Sequence, residues 1–216
     1  MHISKFFAGL SLMFSSGLAV ADMTFLVQDQ HGAPLPDAVL EVVSDPLKSG
    51  TNDGLAIVDQ IDKAFVPELA IIQQGQLVDF PNSDNIRHHV YSFSPAKTFE
   101  LKLYADRPEK PVAFEKHGVV VLGCNIHDSM VGYIYVAADQ RVVKTDSLGI
   151  AKLPLTGDSS QLSAWHANQS KGPEHRDIYE IGAIEQSADK QHYIVTLDIT
   201  PPPARDTFKD TFRANF

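Results

Sequence analysis

Cys124, His127 and Met130 stand at three-residue intervals in "GCNIHDSM", residues 123–130, and Cys124 is the only cysteine of the 216-residue chain. A thiolate, an imidazole and a thioether are soft or borderline donors, and three of them within seven residues suit copper. "HGVVVLGC" reads as an apolar strand, "NIHDS" as a tight loop and "MVGYIYV" as the next strand, so the three donors converge at one hairpin tip. One hairpin does not complete a trigonal site of two imidazoles and a thiolate, so a second histidine has to come from elsewhere. "FPNSDNIRHHVYSF" offers His88 and His89 at the start of a strand. Adjacent strand residues point to opposite faces, so both are not expected on one ion.

The N-terminus bears on the fate of that thiol. Residues 1–21 carry one charge, Lys5, then the apolar run "FFAGLSLMFSSGLAV" and the small-residue ending "AVA", the pattern of a secretory signal peptide cleaved before Asp22. The run is short and serine-rich for a membrane span, with neither a twin arginine nor a cysteine at the cleavage point. A soluble periplasmic protein without membrane insertion is expected. A lone thiol in that oxidising compartment is buried and inert, paired between molecules, or occupied by a metal. The formal charge of −9 becomes −10 once Lys5 is removed, which disfavours nucleic acid and anionic membranes as partners and favours a basic protein.

The elements that must position the donors read as all-β. Short runs rich in Val, Ile, Tyr and Phe alternate with turns such as "QHGAPLPD", "TNDG", "PNSDN", "TDSLG" and "TGDSS", without a sustained helical period outside the signal and the C-terminal end. Strands are expected at 23–29, 37–44, 56–61, 68–73, 76–80, 88–94, 98–104, 111–114, 117–123, 131–137, 148–153, 160–166, 177–183 and 191–198. That many strands suits two small sandwiches better than one.

The stretch "AIVDQIDKAFVPELAIIQQGQLVDFPNSDNIRHHV" resembles the N-terminal half of amicyanin and plastocyanin, members of the cupredoxin (blue copper) superfamily. It shows a strand, Phe-x-Pro, a strand, a glycine turn, another strand, and an asparagine, Asn82, six residues before His88. The spacing of Cys124, His127 and Met130 is similar to the short amicyanin-type ligand loop. Phrases such as "GVVVLGCNIHDSMVGYI" resemble more closely the bacterial cupredoxin-like proteins often called methylamine utilization proteins, although nothing in these residues reads a methylamine. The resemblance implies one copper ion held by the Cys124 thiolate, the His88 and His127 imidazoles and a long axial bond to Met130. It further implies electron passage through His127 to a redox protein such as a c-type cytochrome or a periplasmic dehydrogenase. In two places the chain departs from the amicyanin pattern. Arg87, His88 and His89 stand where the relatives have Pro-His-Asn, leaving His89 to tie the two ligand loops together. Asp128 puts a carboxylate beside His127, either as a solvated loop charge or as a contact to a basic partner.

The flanks "FLVQDQHGAPLPDAVLEVV" and "VVKTDSLGIAKLPLTGDSSQLSAWHA" resemble two pieces of a carboxypeptidase regulatory-like, or transthyretin-like, sandwich. The expected organisation is therefore a signal peptide (1–21), a discontinuous Ig-like β-sandwich (22–50 plus 139–200), a Greek-key cupredoxin domain (55–138) inserted into or joined to it, and a C-terminal tail (201–216). Alternatively, the first two strands pack on the cupredoxin. In the tail, Phe208 and Phe212 are four apart, as in a short docking helix or a frayed terminus.

The other prominent residues receive ordinary readings: His31, His117, His175 and His192 as surface groups, Trp165 as core with His166 facing out, and Tyr91, Phe93 and Phe99 as sandwich core. An oxidase or nitrite-reductase chemistry needs a histidine directly beside the cysteine, and Cys124 has Gly123 and Asn125 instead. No G-x-S-x-G, H-E-x-x-H or phosphate loop is present. The expectation is an electron carrier and not an enzyme. The competing readings are a copper carrier or an interaction module without electron traffic, and structural zinc on Cys124, His88, His89 and His127.

Overall fold

The computed structural model describes residues 21–43, 54–157 and 159–200. The expected signal segment up to residue 20 and the tail from residue 201 lie outside them. The described chain is all-β. The first group of strands comprises β1 (Ala21–Asp29), β2 (Val39–Val43), β3 (Leu55–Ile57), β4 (Asp59–Ile61), β5 (Ala64–Val66), β6 (Leu69–Gln73) and β7 (Leu77–Asp79). Next come β8 (His88–Ser94), β9 (Lys97–Tyr104), β10 (Val112–Ala113), β11 (Gly118–Gly123) and β12 (Val131–Ala137). The chain continues with β13 (Val142–Lys144), β14 (Ile150–Leu155), β15 (Gln161–Trp165), β16 (Asp177–Glu180) and β17 (Tyr193–Leu197).

The strands gather around two separate cores. In the first, the sheets β14-β1-β17 and β13-β2-β15-β16 enclose Phe25, Val27, Leu40, Val42, Leu153, Leu162, Val195 and Leu197. Thus β1 and β2 pair with strands from the last third of the chain: β1 runs antiparallel to β14 and parallel to β17, and β2 lies between β13 and β15. Gly149 closes this arrangement with φ +72, and a Cβ there would lie 2.5 Å from the Val27 carbonyl oxygen, so the turn before β14 requires glycine. In the second, the five-stranded sheet β6-β12-β11-β8-β9 and the three-stranded sheet β10-β7-β3 enclose Val58, Phe65, Ile72, Phe80, Val90, Phe114, Leu122, Cys124, Met130 and Ile134.

Strand β12 is buried on both faces. Ile134 and Val136 face the second core, while Tyr135 and Ala137 join Val39, Val119 and Trp165 in a third cluster between the two. Glu41, only 3% exposed, crosses this seam. Its Oε1 accepts the backbone N–H groups of Ala138 (2.5 Å) and Asp139 (2.9 Å), and its Oε2 accepts the Tyr135 hydroxyl (2.7 Å) and faces Arg176 Nη1 (3.5 Å). Burial, then the neighbouring Glu41 charge, raises the Tyr135 pKa far above the ordinary phenol, so it remains a donor.

Several sequence expectations need correction. The strand expected at 56–61 is interrupted at Val58: β3 and the Val58 N–H pair with β7, whereas β4 pairs with β5, so the two belong to different sheets. Strands β5 and β13 were not foreseen. The strand expected at 177–183 stops at Glu180 and becomes a 3-10 turn over Ile181–Ala183. Tyr91 and Phe93 are not core: Phe93 is 80% exposed and stacks on half-buried Tyr91 with ring centroids 5.2 Å apart. Phe99 alone of the three reaches the second core, packing on Phe80 and Phe114. His166 is half-buried rather than outward-facing, and burial lowers its pKa.

Candidate metal centre

Strand β11 buries Val120 and Leu122 and delivers Cys124 to the edge of the second core. The pair Gly123↔Val131 closes the loop 124–130, and the Met130 N–H donates to the His127 carbonyl (2.9 Å), forming the turn that folds the loop back. Gly123 is required by its neighbour: a Cβ there would meet Tyr91 Cζ at 2.8 Å. Tyr91 is also the residue of β8 that pairs with Gly123, and the antiparallel direction sets the start of β8 beside the end of β11.

That start is His88, fully buried, with Nδ1 3.8 Å from Cys124 Sγ. His127 is half-buried, with Nδ1 4.0 Å from the same sulfur, and its ring lies 5.0 Å from that of His88. The donor atoms of His88, Cys124 and His127 all lie within 4.8 Å of one another, the one such group of His, Cys, Asp or Glu able to hold a metal ion among the described residues. Bonds of about 2.3 Å to sulfur and about 2.0 Å to nitrogen at 120° separate the two donors by about 3.7 Å. The observed Sγ···Nδ1 distances therefore fit a trigonal thiolate–imidazole site. Met130, 1% exposed, is packed in the same core cluster as Cys124.

The loop before β8 is stapled by Asn82, whose Nδ2 donates to the carbonyls of Ile86 (2.9 Å) and Tyr104 (3.1 Å) and whose Oδ1 accepts the Asp84 N–H (3.1 Å). The Tyr104 hydroxyl in turn donates to the Phe80 carbonyl (2.6 Å) and accepts from Gln60 Nε2 (2.6 Å). The asparagine offset noted in the sequence thus has a mechanical meaning: Asn82 fixes the backbone turn that ends at His88.

His89 lies apart. Its Nε2 is 3.0 Å from Glu100 Oε1 on β9 and its ring packs on Tyr91, so it faces the outer side of β8 and does not bridge the ligand loops. Asp128 is exposed beside His127. His31 and His117 are exposed, and His175 pairs with Asp177 (2.9 Å). Burial lowers the His127 pKa, and the neighbouring His88 and Lys63 add to this against an opposing effect from Asp84, so the neutral ring is favoured. Sequence reasoning missed Asp84. Its partial burial raises the carboxyl pKa, but hydrogen bonds from the Lys63 amide, His88 and the Asp62 amide outweigh that and hold it below the usual carboxylate range.

No helix among the described residues is long and apolar enough to cross a membrane. No protein-family model matches the chain, and no curated protein matches it. Solved structures similar in fold include amicyanin from Paracoccus versutus, at 16% identity over 45% of this chain and 96% of that one with a TM-score of 0.33. A copper-containing nitrite reductase from Thermus scotoductus SA-01 is 22% identical over 44% of this chain and 26% of its own, with a TM-score of 0.36. A purple cupredoxin from Nitrosopumilus maritimus is 22% identical over 39% of this chain and 100% of that one, with a TM-score of 0.32.

Proposed function

We propose that this protein is a periplasmic mononuclear type 1 copper protein that carries single electrons between redox partners. The observation that carries the reading is the meeting of His88, at the start of β8, with Cys124 and His127 of the loop after β11, at thiolate–imidazole distances in the wall of an apolar core. Copper in that site would supply one-electron exchange between its Cu(I) and Cu(II) states. The chain's own contribution is positional. His88 at the start of β8, Cys124 just past β11 and His127 at the turn bonded from Met130 would hold the ion, and buried Met130, in the same core cluster, would offer its thioether as a further donor. Little needs to rearrange when the charge of the site changes. His127 is the half-exposed donor and the path by which an electron enters or leaves, and exposed Ile86 and Ile126 on the two ligand loops leave a surface that a partner can dry. A c-type cytochrome or a periplasmic dehydrogenase is the proposed partner class. The name methylamine utilization protein, borne by the cupredoxin-like proteins whose motifs this chain shares, identifies no partner here.

The same reading takes residues 55–138 as a cupredoxin unit inserted in an Ig-like sandwich made of 22–50 and 139–200, in keeping with the pairing of β1 and β2 with β13–β17. The test is the visible and EPR spectrum of the exported protein loaded with Cu(II), beside Cys124→Ser. An intense thiolate-to-copper band that bleaches reversibly with reductant and is lost in the variant supports the reading. A colourless protein that binds copper only as Cu(I), or takes zinc in preference, overturns it in favour of metal carriage or a structural site.

A further inference from the structure

Behind His88 lies a carboxylate built into the fold. Asp84 Oδ2 is 2.6 Å from His88 Nε2, the ring nitrogen that points away from Cys124. The same side chain, 11% exposed, accepts the backbone N–H of Asp62 on Oδ1 (2.7 Å) and that of Lys63 on Oδ2 (3.0 Å). Asp62 and Lys63 form the two-residue turn between β4 and β5, with φ values of 51 and 60. Both amides of this turn grip the one carboxylate. With the Asp84 amide tied to Asn82 Oδ1, the group is fixed from both the main chain and the side chain.

We infer that Asp84 is the positioning residue of the proposed metal site. It accepts the Nε2–H of His88, which commits the neutral ring to the tautomer whose Nδ1 lone pair faces Cys124 Sγ, and it places a full negative charge behind that ligand. This extends the copper reading and rests on it for the second effect alone. A carboxylate behind an imidazole makes the ligand more basic and favours the more highly charged ion, so Cu(II) gains more than Cu(I). The isosteric Asp84→Asn keeps one acceptor for Nε2–H and the Lys63 amide, removes the charge, and turns its NH2 to the Asp62 amide, which loses its acceptor. It is expected to lower the ratio of Cu(II) to Cu(I) affinity about tenfold, equivalent to a rise of about 59 mV in a one-electron potential. Asp84→Ala removes acceptor and charge together and is expected to weaken metal binding about 10–100-fold.

Two measurements decide it. The first is 15N NMR of the His88 ring in metal-free protein at a pH where the imidazoles are neutral. The Nε2–H tautomer in the native chain and in Asp84→Asn, with a mixture in Asp84→Ala, supports positioning. An Nδ1–H tautomer in the native chain, or the same tautomer in all three, overturns it and leaves Asp84 as a clasp for the β4–β5 turn. The second is the pair of Cu(II) and Cu(I) affinities of the native chain and Asp84→Asn. A tenfold fall in their ratio supports the charge effect, and a change of less than twofold overturns it. A native protein that forms no Cu(II)–thiolate band defeats the copper reading and the charge effect together, while the tautomer still decides whether Asp84 orients the ring.

Discussion

Replacing Glu41 by leucine tests whether the seam between the two cores is held by one buried carboxylate. The side chain serves four donors, and they differ in what its loss leaves behind. Arg176, with a quarter of its side chain exposed, turns to water at little cost, and the Ala138 N–H is part-buried. The buried Asp139 N–H loses its acceptor, and the buried Tyr135 hydroxyl keeps only Ser163 Oγ at 3.4 Å, a long and weak substitute; each loss costs about 1–3 kcal/mol. The net expectation for Glu41→Leu is a loss of about 4 kcal/mol, which for a protein of this size lowers the melting temperature by about 8–16 °C. The leucine also escapes the desolvation cost of a buried carboxylate, which keeps the figure well below the sum of four charged hydrogen bonds.

Urea and thermal unfolding of metal-free protein measure it, followed by the fluorescence of Trp165. This is the only tryptophan in the chain, fully buried in the seam, its ring 5.9 Å from that of Tyr135. Tyr135→Phe alone removes one donor without stranding another and is expected to cost about 1 kcal/mol. In the double variant the tyrosine hydroxyl is no longer stranded, so the combined loss falls short of the sum of the single losses by about 1–2 kcal/mol. A loss under about 1 kcal/mol for Glu41→Leu, or strict additivity of the pair, refutes the reasoning. Any thiolate–copper spectrum of the proposed site is expected to be the same in the folded variant and the native protein, because none of the four contacts touches the loop 124–130.

Three further outcomes are expected. Gly123→Ala forces the Tyr91 ring away from the β11 backbone and costs about 1–3 kcal/mol, and the paired change Tyr91→Ala recovers part of it in the same unfolding assay. Met130→Leu conserves volume in a fully buried position, so stability changes by less than about 1.5 kcal/mol, whereas the proposed copper site, if Met130 serves it, would show a changed Cu(II) spectrum and reduction potential. The metal-free protein loses stability as pH falls below about 6.5: His127 and His166 both have lowered folded pKa values, so the unfolded chain takes up protons first. That loss ends once pH is below the folded values, and His166→Gln makes the slope of unfolding free energy against pH shallower.

The readable part of the site was local. Cys124 and His127 occupy one loop between two apolar strands, and their spacing alone brings them together, with Met130 at the end of that loop in the same core cluster as Cys124. Asn82 was legible as an offset, though not as the clamp on Ile86 and Tyr104 that it is. Asp84 was illegible for a definite reason. Its meaning depends on the turn at Asp62-Lys63, which adopts the left-handed backbone without the glycine or asparagine that normally announces it. With the turn unrecognised, β5 was missed, and the amides that hold Asp84 had no place in the reading. The break at Val58 was hidden similarly, since β3 pairs with β7, some twenty residues away, while β4 turns to the unrecognised β5.

The misplacement of Tyr91 and Phe93 has a different origin, because the period was read correctly and the phase was not. Both phases of "HHVYSFS" alternate, and the large aromatic side chains on one of them looked like the buried set. The structure buries the other: His88, Val90, Ser92 and Ser94 face inward, with Ser94 Oγ accepting the Val121 N–H (2.9 Å) and so meeting its polar requirement inside the sandwich. A one-residue change of phase exchanges every side chain between core and solvent, so a single fixed point decides the whole strand. His88 is such a point. If it donates to an ion beside Cys124 it must face inward, and parity then carries Val90, Ser92 and Ser94 in and Tyr91 and Phe93 out. Opposite this start β9 carries one extra residue, Tyr104 to Leu101 against His88 to Val90, and His89 is mostly covered against Glu100 while its neighbour turns to the sulfur. The chemistry assigned to one histidine therefore constrains the packing of a seven-residue strand more strongly than hydrophobicity does.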